Sequence, residues 1–272
     1  MAPLGREHKG NPPIVALLTD FGWQDGYVGA MKGVILGINP HCQVVDVAHE
    51  IGPHDVMAGA LVLEGVFPFF PKGTVFVVVV DPGVGGRRRP LLVEVEGRLL
   101  VGPDNGVFTL VLQGREFRAF EIRQRRFMLE RVSSTFHGRD IFAPTAAHLS
   151  LGIRPEEVGP EIPPTDVVLL SVPRPRRDGQ KVTGEVIYVD RFGNLITNLR
   201  PEDVPQGEPL IEVEGVRIIG IKRSYEEGRM GEVLALWGSS GRLELALKER
   251  SLNRERGWGV GTEVHVSIQG KE

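Results

Sequence analysis

The sequence predicts an α/β fold: an N-terminal layered α/β domain around a central, mostly parallel sheet, followed by a smaller all-β, barrel-like C-terminal domain. Three observations predict it. In the first half, short apolar β-type runs alternate with stretches whose apolar residues recur at helical spacing. The second half carries only short β-type runs separated by Gly-containing turns. Between them, residues 154–181 are rich in proline and charge, which is linker composition.

Taken in order, residues 1–12 are polar, with Gly and Pro and no apolar run behind a charged start, and read as a frayed extension rather than a signal peptide. The α/β domain is expected over residues 13–153. Residues 15–18 form an apolar strand that ends in Thr19-Asp20-Phe21-Gly22, and residues 27–36 follow at helical spacing. The unit recurs: strand 44–47, helix 56–67 after Pro53-His54-Asp55, then the fully apolar strand 74–80. After Asp81 the pattern changes to strand, loop, strand, with strands at 91–95 and 98–101, then short helix 107–112 behind Pro103-Asp104-Asn105-Gly106. Helix 141–151 closes the domain. Within the expected linker only residues 167–172 are β-type. The C-terminal β domain, residues 182–272, carries runs at 182–189, 195–198, 210–213, 216–221, 233–237, 243–246 and 262–268.

Composition narrows the function. The chain of 272 residues is 41% hydrophobic and 25% charged, enough to bury one large core or two smaller ones. Its net charge of -3 is spread without a basic block, apart from Arg87 to Arg89 and Arg174, Arg176 and Arg177, so nucleic acid is not an expected partner. No apolar run approaches the roughly 20 residues of a membrane helix. Cys42 is the only cysteine, which excludes an intrachain disulfide and cysteine-pair zinc sites and fits a reducing cytoplasm. The histidines show no tight metal-ligand spacing, and Asp46-Val47-Ala48-His49 reads as a strand end rather than a site.

Ligands of α/β sheets gather at strand ends, and four polar-glycine clusters stand there: Asp20-Phe21-Gly22, residues 81–88, Pro103-Asp104-Asn105-Gly106, and Phe136-His137-Gly138-Arg139-Asp140. A fifth, Asp190-Arg191-Phe192-Gly193-Asn194, follows a β-type run in the second domain. Gly83-Val84-Gly85 is no dinucleotide fingerprint, because Arg88 replaces its third glycine and Pro90 opens a strand where a helix should start. Taken alone, Asp81-Pro82-Gly83 is a β-turn and His137 a loop histidine. Together with the permanent charge of Arg88 they form a set able to hold and deprotonate water.

These five motifs, in this order, closely resemble those of the SAM hydroxide adenosyltransferase family, relatives of the SAM-dependent fluorinase and chlorinase. The resemblance covers the chain from Ile14 to Ile268. It implies a two-domain homotrimer with S-adenosyl-L-methionine (SAM) bound between the first domain of one subunit and the second of its neighbour, and no cofactor, since SAM is the substrate. By motif, Asp81, Arg88 and His137 are the catalytic set that handles water, and Asp20 grips the ribose hydroxyls. Asp190 and Asn194 match positions near methionine and adenine, Phe192 packs at the same interface, and Phe136 and Gly138 complete the His137 motif. Ser239 and Ser240 match the Ser-Arg pair that holds the methionine carboxylate in the fluorinase; the arginine is absent here. In the halogenases a tyrosine replaces the aspartate at the Asp81 position, and Tyr-Ser or Tyr-Gly replaces His137-Gly138, so this chain carries hydroxide-type residues at both. His54 stands where the fluorinase has a tryptophan near the ligand.

The implied activity is hydrolysis of SAM to adenosine and methionine, by activated water attacking the ribose 5′ carbon. Two alternatives stay open from sequence: a non-catalytic SAM or adenosine sensor, and a SAM-dependent halogenase.

Overall fold

The computed structural model describes residues 11–268, and the expected N-terminal extension lies outside them except for Asn11 and Pro12. The described chain divides into two compact units, up to Leu170 and from Ser171 onward. The first unit is α/β and the second all-β apart from short helical turns.

In the first unit, β1 (Ile14–Thr19), α1 (Tyr27–Ile38), β2 (Gln43–Ala48), α2 (Val56–Val66) and β3 (Val75–Val79) follow the expected alternation. Then come β4 (Pro90–Val95), β5 (Arg98–Pro103), the short α3 (Thr109–Leu112), β6 (Phe117–Glu121), α4 (Ala143–Ser150) and β7 (Glu161–Ile162). The strand order is β2-β1-β3-β5-β4-β6-β7. Strands β2, β1, β3 and β5 are parallel, while β4, β6 and β7 extend the sheet antiparallel. Every residue of β3 is buried, as a strand covered on both faces requires. On one face Val15, Leu17, Val77 and Leu92 pack with Met31 and Ile35 of α1 and Ala143, Ala146 and Leu149 of α4. On the other, Gly59 of α2 sits against Val80 and Val107, where an added Cβ would lie 3.0 Å from the Val80 side chain.

Strand β6 was not expected, and it carries the fully buried Phe120 into the core. The β-type run 167–172 forms no strand. It makes only an isolated bridge at Leu169, and two of its amides are taken by side chains: Val168 N–H donates to Asp104 Oδ1 (2.8 Å) and Leu170 N–H to Thr109 Oγ1 (2.8 Å). Helix α4 is preceded by a π-helical turn (Gly138–Phe142), in which the Ala143 N–H reaches Gly138 O.

The second unit contains β8 (Arg176–Asp178), β9 (Lys181–Val189), β10 (Leu195–Thr197), β11 (Pro209–Val213), β12 (Val216–Ile219), β13 (Val233–Trp237), β14 (Leu243–Leu247), α5 (Leu252–Arg256) and β15 (Glu263–Ile268). All its strand pairings are antiparallel, in the order β12-β11-β15-β9-β10-β14-β13, with β8 also on β9. Just past β12, the Lys222 N–H donates to Ala235 O of β13 (2.8 Å), so the two edges nearly meet and the sheet is barrel-like. Its interior holds alternate residues such as Val182, Leu195, Ile211, Leu243 and Val264. The Pro-rich stretch is shared, β7 pairing in the first unit and β8 in the second. Helix α5, also unexpected, has Ser251 accepting from Arg254 N–H at its start and left-handed Gly257 at its end. No helix among the described residues is long and apolar enough to cross a membrane.

Because Phe120 is wholly buried, Phe120→Ala should lower unfolding free energy by about 3–5 kcal/mol, read by urea denaturation. A loss below about 1 kcal/mol would place β6 outside the core.

Candidate active site

Four segments converge on a cavity of about 270 Å³ in the first unit, lined among others by Asp20, Phe21, Tyr27, His54, Asp81, Val84, Phe136, His137 and Gly138. Asp20 leaves the end of β1 and Asp81 follows β3, its neighbour in the sheet. Each therefore stands at the carboxyl end of a central parallel strand, where side chains reach a crevice without disturbing the ladder.

The loop after β3 is built for close approach. Gly85 adopts φ +74, and a Cβ there would stand 2.1 Å from Ser134 O, so only glycine lets this loop lie against the segment that carries His137. Arg88, at the loop's far end, closes the set: its Nε donates to Asp81 Oδ1 (2.9 Å), and its Nη2 donates both to Asp81 Oδ2 and to His137 Nδ1 (2.7 Å). The Asp81 side chain is 4% exposed and that of Arg88 9%. Asp81 and His137 line the cavity, whereas Arg88 lies behind them and over the Phe142 ring at 5.4 Å.

This contact fixes the state of His137. A guanidinium nitrogen only donates, so Nδ1 is the acceptor and the proton of the neutral ring sits on Nε2. Burial, and then the Arg88 charge, push the His137 pKa below the ordinary histidine value, against a smaller pull from Asp81 and Asp140. The ring is therefore neutral at pH 7, with an N–H to offer at Nε2. Asp140, fully buried, supports the motif by accepting from Ser133 N–H (2.8 Å) and Arg139 Nε (2.5 Å).

The aromatic wall is a three-ring cluster. Phe136 meets Phe21 and Tyr27 edge-to-face at 5.7 and 5.2 Å, and Arg139 stacks over Phe136 at 4.9 Å. A Cβ at Gly138 would lie 3.3 Å from both Met31 Sδ and Phe21 Cζ, so any larger residue here requires those side chains to give by a few tenths of an ångström. Asp20 is held from the front by His54, whose N–H donates to Asp20 Oδ2 (2.9 Å) from a left-handed backbone at φ 69.

The cluster Pro103-Asp104-Asn105-Gly106 lies outside this cavity wall, its side chains bonded to neighbouring loops. Asp104 accepts from Arg89 Nε (2.8 Å), and Asn105 Nδ2 donates to Val80 O (2.8 Å), tying the end of β5 to that of β3.

In the second unit, Asp190 caps its own turn: Oδ1 accepts from Phe192 N–H (2.9 Å) and Asn194 N–H (2.8 Å), and Oδ2 from Asn194 Nδ2 (3.0 Å). Phe192 is left 76% exposed. Phe192 and Asn194 line a second cavity, of about 560 Å³, with Tyr225, Lys248 and Ser251. Ser239 and Ser240 lie between β13 and β14 and line neither cavity.

Sequence reasoning does not single out Tyr27 and Thr135 in the first cavity, or Tyr225 and the 247–251 segment in the second. Val84 lies within the 81–88 cluster, while Tyr27 and Thr135 sit beside recognised motifs, and proximity is the only signal the sequence offers for them. Among the described residues, no group of three or more His, Cys, Asp or Glu side chains is placed to hold a metal ion.

Comparison with known proteins gives a consistent picture. Residues 15–159 match the SAM hydroxide adenosyltransferase N-terminal domain and residues 184–265 its C-terminal domain. The (R)-S-adenosyl-L-methionine hydrolase of Thermus thermophilus is 40% identical over 93% of this chain and 98% of its own. A fluorinase of Actinoplanes sp. is 28% identical over 88% of this chain and 91% of its own. The crystal structure of an uncharacterized conserved protein from Thermotoga maritima superposes with a TM-score of 0.85 at 34% identity, over 93% of this chain and 99% of that one.

The His137 geometry has a checkable consequence. Its depressed pKa means that the neutral ring, and the stability tied to it, is fully present above pH about 6.5 and is lost as pH falls through the lower folded-state value. Nitrogen-15 NMR of the ring should show a protonated Nε2 and a bare Nδ1 at pH 7, titrating below 6.5. A proton on Nδ1 at pH 7, or a midpoint above 6.5, would contradict the Arg88 contact.

Proposed function

Because the chain belongs to the SAM hydroxide adenosyltransferase family, we propose that it hydrolyses SAM to adenosine and L-methionine, water attacking the ribose 5′ carbon. The observation that carries this reading is the Asp81–Arg88–His137 set, joined by one guanidinium beside the cavity that Asp20 also lines.

The chemistry asks for little acid catalysis and much placement. The sulfonium leaves as neutral methionine, so the barrier lies in presenting an oxygen nucleophile in line with the C–S bond. Asp81, a carboxylate on the cavity wall, takes the water proton. The His137 Nε2–H donates to the same oxygen and stabilises the charge that develops there. Arg88 acts through both, holding Asp81 bidentate and His137 in one tautomer. Attack of a hydroxide-like oxygen on the ribose 5′ carbon, as the C–S bond to the sulfonium breaks, annihilates charge, so a site that excludes water favours the transition state.

Asp20 holds the ribose hydroxyls, and Phe136 and Gly138 shape the wall around the reacting carbon. In the second unit, Asp190, Phe192, Asn194, Ser239 and Ser240 serve the methionine and adenine ends, and the exposed face of Phe192 supports a stacking role. The family resemblance supports a homotrimer whose sites lie at subunit interfaces, with SAM as substrate and no resident cofactor. The lone Cys42 accords with a cytoplasmic protein. Hydroxide-type residues at Asp81 and His137 favour water over halide as the nucleophile.

Purified protein with SAM should release adenosine and methionine in equal amounts, with no 5′-halogenated adenosine when chloride or bromide is added. Asp81→Asn should lower kcat by about 10²- to 10⁴-fold with little change in KM. Asp20→Ala should instead raise KM by about 10- to 100-fold. Tight SAM binding with no adenosine would establish a sensor, and equal loss of SAM affinity in both variants would overturn this division of roles.

A further inference from the structure

Behind Asp20 runs a polar chain that the reaction chemistry does not use. The Phe21 N–H donates to Thr19 Oγ1 (3.3 Å), and Thr19 Oγ1 lies 2.9 Å from His49 Nδ1. His49 Nε2 lies 2.9 Å from Asp46 Oδ1, and Asp46 Oδ2 accepts from Lys32 Nζ (2.7 Å). The backbone joins in, since the Gly22 N–H donates to His49 O (2.7 Å). Trp23 covers the far end, edge-on to the His49 ring at 4.6 Å and under the Lys32 ammonium at 5.5 Å.

One proton assignment satisfies every member. Asp46 only accepts, so the neutral ring donates from Nε2. Nδ1 is then left to accept from the Thr19 hydroxyl, whose oxygen accepts from Phe21 N–H. Burial holds the His49 pKa below the ordinary value and keeps this neutral form at pH 7. A threonine, a histidine and an aspartate in this order superficially match a nucleophile, a base and an orienting acid. Thr19 and His49 are 0% and 1% exposed, however, so no substrate reaches them, and the chain can act only on the loop that it holds.

That loop is residues 19–22. The chain fixes the residue before Asp20 through its side chain and the two residues after it through their amides. The His54 N–H fixes Oδ2 of Asp20 itself. We propose that Thr19, His49 and Asp46 are positioning residues that set the rotation of the Asp20 carboxylate, with His49 as the pivot. This rests on the reading that Asp20 holds the ribose hydroxyls.

The test compares Thr19→Val, which keeps the shape and removes the hydroxyl, with Thr19→Ser, which keeps the hydroxyl, each in the full chain and with melting temperature recorded. Binding is read by calorimetry with adenosine and with 2′,3′-dideoxyadenosine. Thr19→Val should weaken adenosine binding by about tenfold, Thr19→Ser should stay within about twofold of wild type, and the dideoxy compound should bind all three alike. With SAM, Thr19→Val should raise KM and leave kcat within about twofold. Unchanged adenosine affinity with a lowered melting temperature would reduce the chain to a structural element and overturn the proposal. So would a Thr19→Ser as weak as Thr19→Val, or an equal loss for the dideoxy compound. Should Thr19→Val fail to fold, Asp46→Asn decides by the same two ligands, with unchanged adenosine affinity overturning the proposal. Failure of the wild type itself to turn over SAM would count against the hydrolase reading, separately from these affinity ratios.

Discussion

The site depends on one guanidinium. Arg88 is nearly buried and uses Nε and both hydrogens of Nη2 on two partners, Asp81 and His137, which lie far apart in the chain. Lysine would not substitute, because its point charge has no rigid fork with which to hold a carboxylate bidentate and an imidazole together. Removing Arg88 alone would strand a buried carboxylate, a defect that costs about 3–5 kcal/mol. The pair is therefore a feature that the fold must accommodate, and the surrounding elements are arranged to do so.

The accommodation begins in the sheet. Parallel strands β1 and β3 lie side by side and end together, which delivers Asp20 and Asp81 to one crevice. The antiparallel strands then make room for the chain to return: the loop from β3 crosses to the start of β4, carrying Arg88 back toward Asp81. Asn105 ties the end of β5 to Val80, and Asp104 holds Arg89, so the neighbours of the Arg88 set are themselves anchored. Gly85 permits the contact between this loop and the 133–137 segment on which His137 arrives. Sequence dictates strand ends, strand ends dictate loops, and the loops bring His137 to Arg88 and Asp81, 49 and 56 positions earlier.

Much of this was legible in the sequence, because the period of the apolar residues changes where the structure changes. The buried run of β3 and the helical spacing of α1 and α2 leave little choice. Strand β6 was not legible, since Arg118 and Glu121 make a five-residue segment look like surface until β4 and β7 close on its sides. The run 167–172 misled in the opposite sense: β-type composition cannot reveal that Asp104 and Thr109, some sixty positions earlier, capture its amides. The site motifs were visible as polar-glycine clusters at strand ends, but the division of labour among them was not. Asp104 and Asn105 spend their side chains on Arg89, Val168 and Val80. The segment 46–49 is a strand end as its sequence suggests, yet the side chains of Asp46 and His49 carry the chain that reaches Thr19, a connection made only when β2 pairs with β1.

If an oxygen held by Asp81 and His137 attacks the ribose carbon, that oxygen can be followed into the product. Purified protein is incubated with SAM in oxygen-18 water and the nucleoside is weighed by mass spectrometry. Adenosine should carry one heavy oxygen and form at an enzyme-dependent rate, with methionine unlabelled. Adenosine of natural mass, or heavy oxygen in the amino-acid product instead, would contradict that attack.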